Sequence, residues 1–382
     1  MKTPVVLQCL ESYQPQTTKE AIIELLLPLG GMDAFVKPGQ RVLLKPNMLA
    51  GKGVDTAVTT HPEIVRAVIE LVQETGGIAL VGDSPGVGSS QSVAERCGIM
   101  SVIAETGATF VPFTESTRIT PRSGTFKHFE IANDILEADL IINLPKLKTH
   151  QMMGMTCAVK NLFGAVVGLR KPHLHLQAGS DKGSFALMLL ELAEEIRPAL
   201  TIVDGVLAME GDGPGSGDPI QLGVLLAGVE PLAIDVVAAE LVGLDPESIW
   251  TLVVARSSGR PWSSLEEIEL CGHPLAGLRP RKFKAAKNTE IHFGVPTWLR
   301  RPLQKALSAR PVVTRGKCRR CGICVSSCPP KAMRIDNDRL LIDDERCILC
   351  FCCHELCPYG ALHTQQGWLL RLSQKFSRHR SP

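Results

Sequence analysis

Two short cysteine runs near the C-terminus constrain this chain more than any other feature. Cys318, Cys321, Cys324 and Cys328 lead into Pro329, and Cys347, Cys350, Cys353 and Cys357 lead into Pro358. Each run reads C-x2-C-x2-C-x3-C-P, a ligand spacing of [4Fe–4S] clusters. Three thiolates on a tight turn can grip one face of an iron–sulfur cube, while the fourth opens a short helix. Zinc usually takes paired C-x2-C knuckles, four sulfurs per metal. Cys352 interrupts the second run. Put in place of Cys353, it would stretch the spacing to Cys357 to x4, so it reads as a structural thiol beside the ligands. Lys317, Arg319 and Arg320 surround the first run, whereas Asp343, Asp344 and Glu345 precede the second. Local charge tunes cluster potential, so the two runs predict inequivalent centres.

The cysteine runs occupy a small part of 382 residues, and that length allows two or three domains. Apolar residues make up 45%, enough for a large core, and aromatics only 4%. So few aromatics argue against base stacking, and no nucleic-acid partner is expected. Cys9, Cys97, Cys157 and Cys271 are scattered. Thiolate ligation needs a reducing compartment, which favours the cytoplasm. The N-terminal apolar run is too short for a signal peptide, and no stretch approaches the ~20 apolar residues of a membrane span. Charge is segregated. Residues 278–320 carry thirteen Lys/Arg against one acid, Glu290, which leaves residues 1–277 acidic. The basic segment reads as a linker lying against the acidic body, or as a docking surface for an acidic electron-transfer protein such as a ferredoxin or flavodoxin, or for a membrane surface.

Residues 1–277 alternate apolar runs with amphipathic stretches. Strands are predicted at Val5–Leu10, Arg41–Lys45, Ile78–Gly82, Thr109–Phe113, Leu140–Leu144, Leu200–Val203 and Leu222–Leu226. Helices are predicted at Thr17–Pro28, Pro62–Thr75, Ser89–Gly98, Ser184–Ile196 and Pro231–Val242. Near-continuous apolar strands suit a sheet covered on both faces, and the alternation predicts an α/β layered fold with a largely parallel sheet. Thr60-His61-Pro62-Glu63 is a good helix start, and Gly76-Gly77 a good stop. Residues 278–316 read as a basic linker with one short helix around Trp298–Leu307. Residues 317–364 read as a small α+β module built on the cysteine runs, and 365–382 as a basic tail.

Polar clusters sit at the strand ends. Lys45-Pro46-Asn47 closes the second strand, and Asp83 opens a Gly/Ser loop before a helix, a place where backbone N–H groups can meet an anion. After Leu140–Leu144 comes NLPKLKTH, then QMMGMTCAVKNLFGAVVG, bringing Asn143, Lys146, Lys148, His150, Lys160 and Asn161 toward one strand end. In open α/β sheets ligands bind at the carboxyl ends of strands. Clustered ammonium groups suit an anionic small molecule, and His150 or Lys160 could supply a proton. His173 and His175 in RKPHLH are weaker candidates. Asp204 ends another strand. Asp235, inside an apolar helix, needs a partner, either one of these lysines or a helix end. The glycine-rich loop from Glu210 to Gly217 reads as a lid or a long turn.

The segments KPN, THP, GDSPG, LPKLKTH, VKNLFG, DGVLAMEGDGPGSG and EPLAID resemble the domain of unknown function 362 family over residues 3–260. That family is often fused to modules like the one at 317–364, which is similar to bacterial two-cluster ferredoxins. The second resemblance implies two [4Fe–4S] clusters with crossed ligation. Cys318, Cys321, Cys324 and Cys357 would hold one, and Cys347, Cys350, Cys353 and Cys328 the other. The family implies a single α/β domain but no reaction. No flavin, nicotinamide or C-x3-C-x2-C fingerprint is present. The leading expectation is a ferredoxin-coupled oxidoreductase that reduces an anionic substrate held by Lys45, Asn47, Asp83, Lys146, Lys148, Asn161, Asp204 and Asp235, with His150 and Lys160 catalytic. The alternatives are an electron relay that docks a partner, and a redox-sensing regulator.

Overall fold

The computed structural model of the protein describes residues 2–86, 88–168, 170–179, 181–280, 282–287 and 308–368. The body is built on β1 (Thr3–Cys9), β2 (Arg41–Pro46), β3 (Ile78–Val81) and β4 (Thr109–Phe110). A separate two-stranded ribbon follows, β5 (Ser116–Ile119) with β6 (Phe129–Ala132). Then come β7 (Leu140–Leu144), β8 (Lys146–His150), β9 (Gly154–Thr156), β10 (Leu200–Glu210), β11 (Asp218–Gly228) and β12 (Ile268–Gly272). Apart from the ribbon, these strands make one ten-stranded sheet in the order β12-β1-β11-β10-β7-β2-β3-β4, with β8 on β10 and β9 on β8. The run β10-β7-β2-β3-β4 is parallel throughout, and β11 is antiparallel to both of its neighbours.

Both faces of the sheet are covered, which explains the continuous apolar strands. Val42, Leu44, Ile142, Leu144 and Ile202 belong to the cluster that takes in the helices Pro15–Leu26 and Pro62–Glu74. Their neighbours Leu43 and Ile141 belong to the cluster containing the helix Lys182–Ile196. Val203, Val224 and Leu226 belong to a third cluster with the helix Pro231–Leu241. Alternate residues therefore serve opposite layers, as period-2 side-chain direction requires. The helix Pro62–Glu74 starts as its sequence dictates, with Pro62 at the first turn and the His61 side chain accepting from Glu63 N–H at 3.2 Å.

The sequence under-reads two regions. Apolar patterning marks only Leu200–Val203 and Leu222–Leu226, yet β10 and β11 each run eleven residues and form a long hairpin. Asp204 and Gly205 interrupt the apolar run, and the register shifts between Gly205 and Leu207. The glycine loop from Glu210 to Gly217 is the turn of this hairpin. The segment read as linker holds a strand, β13 (Ala309–Val313), paired antiparallel with β16 (Leu362–Gln366). A second ribbon, β14 (Met333–Asp336) with β15 (Arg339–Ile342), completes the small sheets of the C-terminal α+β module. Lys284, also in that segment, donates its backbone N–H to Glu210 at 2.7 Å and pairs with Asp218 at 3.1 Å, so basic residues there do lie on acidic body residues. The helix expected around Trp298–Leu307 falls outside the described residues.

The module meets the body through its second cysteine run. Phe351 is 1% exposed and shares a buried cluster with body residues Met152, Phe163 and Phe185. His354 is fully buried and lies 3.3 Å from Asp212 of the hairpin turn, which also accepts from Gln151 at 2.8 Å. A β-carbon on Gly215 would stand 2.9 Å from Glu355 O, so the turn can approach this closely only without a side chain there. Truncation of Phe351 tests this seam. Phe351→Ala is expected to weaken docking by about 3–5 kcal/mol, the usual cost of emptying a buried aromatic site. Trypsin should then release the module faster while the far-UV dichroism of the body is retained.

Candidate functional site

Lys146, Lys148 and His150 lie on β8, a strand buried along its whole length. Leu147 and Thr149 alternate with them, so K-L-K-T-H is a period-2 pattern that turns three polar side chains to one face. Pro145 separates β8 from β7, and β10 pairs with β7 at Leu200 and Thr201, then with β8 at Asp204 and Met209. The C-terminal ends of β2, β3, β7 and β10 therefore converge here.

Two lysines are closed off in ion pairs. Lys45 Nζ meets Asp83 Oδ1 at 2.7 Å with both side chains buried, and Asp83 Oδ2 accepts from Met48 N–H at 2.8 Å. A β-carbon on Gly164 would overlap both Asp83 and Lys45, so the glycine of NLFG is needed for this approach. Lys146 Nζ meets Asp204 Oδ2 at 2.7 Å, and Asp204 also accepts from Tyr13 Oη at 2.7 Å and His61 N–H at 2.8 Å. Tyr13 stacks on His61 at 3.6 Å. Burial pushes Lys45 and Lys146 down from the usual lysine range, and their carboxylates oppose that. Asp235 has no lysine partner among its contacts. It accepts from Ala158 N–H at 2.6 Å and Val159 N–H at 3.3 Å at the start of the helix Ala158–Asn161, and burial raises its carboxyl to about 7.

The other lysines face a cavity of about 280 Å³ between body and module. Lys148, Lys160 and Lys171 line it from the body, and Ser327, Cys352 and Glu355 from the module. Lys148 Nζ donates to Asn47 Oδ1 at 2.6 Å and Val58 O at 2.8 Å. Asn47 donates to Asn161 Oδ1 at 3.0 Å, and Asn161 to Asn143 Oδ1 at 2.8 Å. The asparagines of KPN, NLPK and VKN thus form one chain that fixes Lys148. Lys171 donates to Ser84 O and Pro85 O, and Lys160 Nζ lies 5.6 Å from the Phe163 ring centre. Burial, followed by the charge of Lys160, lowers Lys148 to about 7. Lys171 is also lowered to about 7, mainly by burial.

His150 sits behind this wall rather than on it. Its Nδ1 accepts from Met152 N–H at 3.0 Å and Met153 N–H at 3.1 Å, which puts the proton on Nε2. Nε2 lies 2.6 Å from Glu355 Oε1, within ion-pair distance but out of line for a straight hydrogen bond. Burial lowers His150 to about 4, so it is neutral at pH 7. Burial would raise the Glu355 carboxyl, but His150 and Lys160 outweigh it and hold it well below the usual carboxylate range.

The thiols fall into two groups. Cys324 is raised to about 11 by burial and then by Cys357, Cys321 and Cys318, so these four are neighbours. Cys353 is raised by burial and then by Cys350, Cys347, Cys324 and Cys328, and Cys347 by burial and then by Cys350 and Cys328. The eight thiols of the two runs thus lie close together, and among the described residues no three of them converge on a single metal-ion position. Ala332 N–H donates to Cys328 Sγ and Ala361 N–H to Cys357 Sγ, both at 3.2 Å, in matching positions of the two runs. Cys321 is exposed, whereas Cys350 and Cys353 are buried among module residues, Cys353 with Met333 and Leu362 and Cys350 with Cys352 and Leu356.

Of the expected substrate-binding residues, Asn47, Asp83, Lys148 and Asn161 line the cavity and Lys45, Lys146, Asp204 and Asp235 do not; of the two expected catalytic residues, Lys160 lines it and His150 does not. Sequence reasoning missed Lys171 and Glu355 and underweighted His175, which lines the cavity while His173 does not. The signal available was RKPHLH, which forms the helix Arg170–Ala178. Glu355 gave none, because its role depends on how the module docks.

Residues 42–240 match the family model for a domain of unknown function, DUF362, and residues 317–361 that for a 4Fe-4S dicluster domain. The chain is 40% identical over 290 residues, 76% of its length and 90% of the relative's, to a thylakoid-associated protein of Synechocystis sp.. Among solved structures it is similar to the lactate racemase apoprotein of Thermoanaerobacterium thermosaccharolyticum, at TM-score 0.39 and 12% identity, over 59% of this chain and 54% of that one. A Thermotoga maritima protein gives TM-score 0.34 and 14% identity over 55% of each chain. The chain spans about half the length of either structure, and likenesses this slight say nothing about function. No helix among the described residues is long and apolar enough to cross a membrane.

Two outcomes follow from this electrostatic arrangement. Lys45→Met strands a buried carboxylate and is expected to cost about 3–5 kcal/mol. Adding Asp83→Asn removes the stranded charge while keeping an acceptor for Met48, and should restore most of the loss in urea unfolding. Anion binding should weaken as pH rises through 7, because Lys148 and Lys171 carry charge only below that value. Calorimetry with sulfate, whose charge is constant from pH 6 to 8, should show affinity falling by up to about tenfold per pH unit for each coupled proton. Lys148→Met should make that slope shallower.

Proposed function

The chain belongs to the DUF362 family and carries a C-terminal 4Fe-4S dicluster domain, and from that premise we propose that it is an iron–sulfur oxidoreductase reducing a small anionic substrate. In this reading two [4Fe–4S] clusters are bound, the first by Cys318, Cys321, Cys324 and Cys357, the second by Cys347, Cys350, Cys353 and Cys328. The observation that carries the reading is the shared cavity wall. Three body lysines face Cys352 and Glu355, which lie in the very turn that carries Cys350 and Cys353. An electron relay has no need of a lysine-lined cavity against its inner cluster.

Cys321, which would be a ligand of the first cluster, is exposed among exposed Lys317, Arg319 and Arg320. Such a surface suits an acidic one-electron donor, a ferredoxin or flavodoxin. Two clusters held by these cysteines would supply between them the two electrons that reduction of a closed-shell substrate requires. Lys160 holds the substrate's negative charge, with Lys148 or Lys171 releasing a proton near neutrality. His150 is neutral and positions Glu355. A reducing, cytoplasmic-type compartment fits the thiolate ligands, and the relative's thylakoid association fits a basic segment, residues 278–320, resting on an anionic membrane surface.

The test is single-turnover oxidation of the anaerobically reduced protein by a panel of small anions. One acceptor should oxidise the clusters faster than buffer does, and Lys160→Ala should slow that reaction about 10–100-fold, the worth of one charge-assisted hydrogen bond. If no anion accelerates oxidation while a ferredoxin still exchanges electrons with the protein, the chain is a relay and the enzyme reading fails.

A further inference from the structure

The cavity wall has a feature that anion binding alone leaves unexplained. Buried polar side chains almost always find partners. Thr156 and His175 are 5% and 3% exposed, both line the cavity, and Thr156 Oγ1 and His175 Nδ1 have no hydrogen-bond partner. Among the described residues, the other unpartnered buried atom on this wall is Glu355 Oε1, which already lies beside His150. Leaving two such atoms bare costs roughly 1–3 kcal/mol each, a cost that a bound molecule would remove.

Their placement says what that molecule offers. Thr156 on β9 is the register partner of Lys148 on β8, so both side chains leave the same face of the sheet and line the same cavity. His175 is close enough to Lys160 and Glu355 to feel both charges. It stacks on Phe185 at 4.0 Å and meets Phe163 edge-on, which fixes its ring. Burial holds it near 3, so it acts as a neutral hydrogen-bonding group and not as another cation. The ionised Glu355 on the module wall disfavours a second anionic end. A cavity of about 280 Å³ lies just below the ~300–1,000 Å³ usual for drug-sized ligands, a volume that suits a small molecule.

We propose that the cavity selects small carboxylates bearing a neutral oxygen on the adjacent carbon, 2-oxo or 2-hydroxy acids, with the lysines on the carboxylate and Thr156 Oγ1 and His175 Nδ1 on the neutral oxygen. This rests on the cavity being an anion site, and it names the substrate class of that site. Thr156→Val keeps the shape of the wall and removes a bare buried hydroxyl, so the unliganded protein should be as stable as the parent or more so. His175→Phe keeps the stacking on Phe185 and removes the ring nitrogens.

The experiment is calorimetric titration of the cluster-loaded full chain at pH 6.5 with 2-oxobutyrate, 2-hydroxybutyrate, butyrate and sulfate. At least one of the oxygen-bearing acids should bind about tenfold more tightly than butyrate, the worth of one to two neutral hydrogen bonds. Thr156→Val and His175→Phe should each shrink that ratio toward one while sulfate affinity is kept. Lys160→Ala should weaken all four ligands together. Equal affinity for the three acids, or a ratio that survives both substitutions, overturns the proposal and leaves the anion site standing. If sulfate and the acids all fail to bind, the anion site itself falls, and the proposal with it.

Discussion

The site depends on one buried ion pair, Lys45 with Asp83. A carboxylate and an ammonium at 2.7 Å in a dry interior are tolerable only as a matched pair. Asp83 does more than neutralise. Its second oxygen holds Met48 N–H, which fixes the turn after β2 and so sets Asn47, and Asn47 holds Lys148. Gly164 makes room for the pair and brings Asn161 and Lys160 in on the same helical segment. Lys146 is balanced in the same way by Asp204 and Tyr13. With two lysines silenced, the charge offered to the cavity comes from Lys148, Lys160 and Lys171. A cluster of lysines in the sequence thus divides into those that hold the wall and those that face its contents.

Docking supplies the remaining wall. The second cysteine run inserts Phe351 into the body, lays His354 on Asp212, and brings Glu355 to His150 and the cavity. The two runs, nearly identical in spacing, consequently have opposite surroundings. The first keeps an exposed thiol among basic residues, and the second is buried beside the cavity. Such inequivalence in exposure and nearby charge is what separates cluster potentials. The charged residues flanking each run hinted at it. Cys350 and Cys353 are buried by residues of the module itself, and docking adds the cavity beside Cys352.

Much of the architecture was legible in the chain. Leu140–Leu144 is a strand over the predicted residues, and the helix at Pro62 starts and stops where its caps dictate. These elements are fixed by local rules, a period or a capping residue. Lys146–His150 was not legible as a strand. Its polar residues obey the period-2 rule, but they point at a site instead of at water, so the alternation looks like a loop's. The hairpin of β10 and β11 was half hidden for a related reason, since Asp204 sits in it for the sake of Lys146. Asp235 was ambiguous between a lysine partner and a helix end, and only packing could choose the helix end. Where the sequence misled, a residue was serving a distant partner at the expense of the local pattern.

The arrangement also couples cluster position to site completion. Glu355 lies between Cys353 and Cys357, two residues from each, and the thiols of those residues fall in different sets. A displacement of this short turn therefore moves the carboxylate, the wall of the cavity and the thiols of Cys353 and Cys357 together. The body alone presents Lys148, Lys160 and Lys171 to open solvent, where water and salt screen their charge. With the module seated, the same lysines face a partly closed cleft in which each charge acts more strongly than on an open surface. Docking that seats the second cysteine run beside the body is thus the same event that closes one side of the cavity over the lysines. That is why the cavity belongs to neither domain alone.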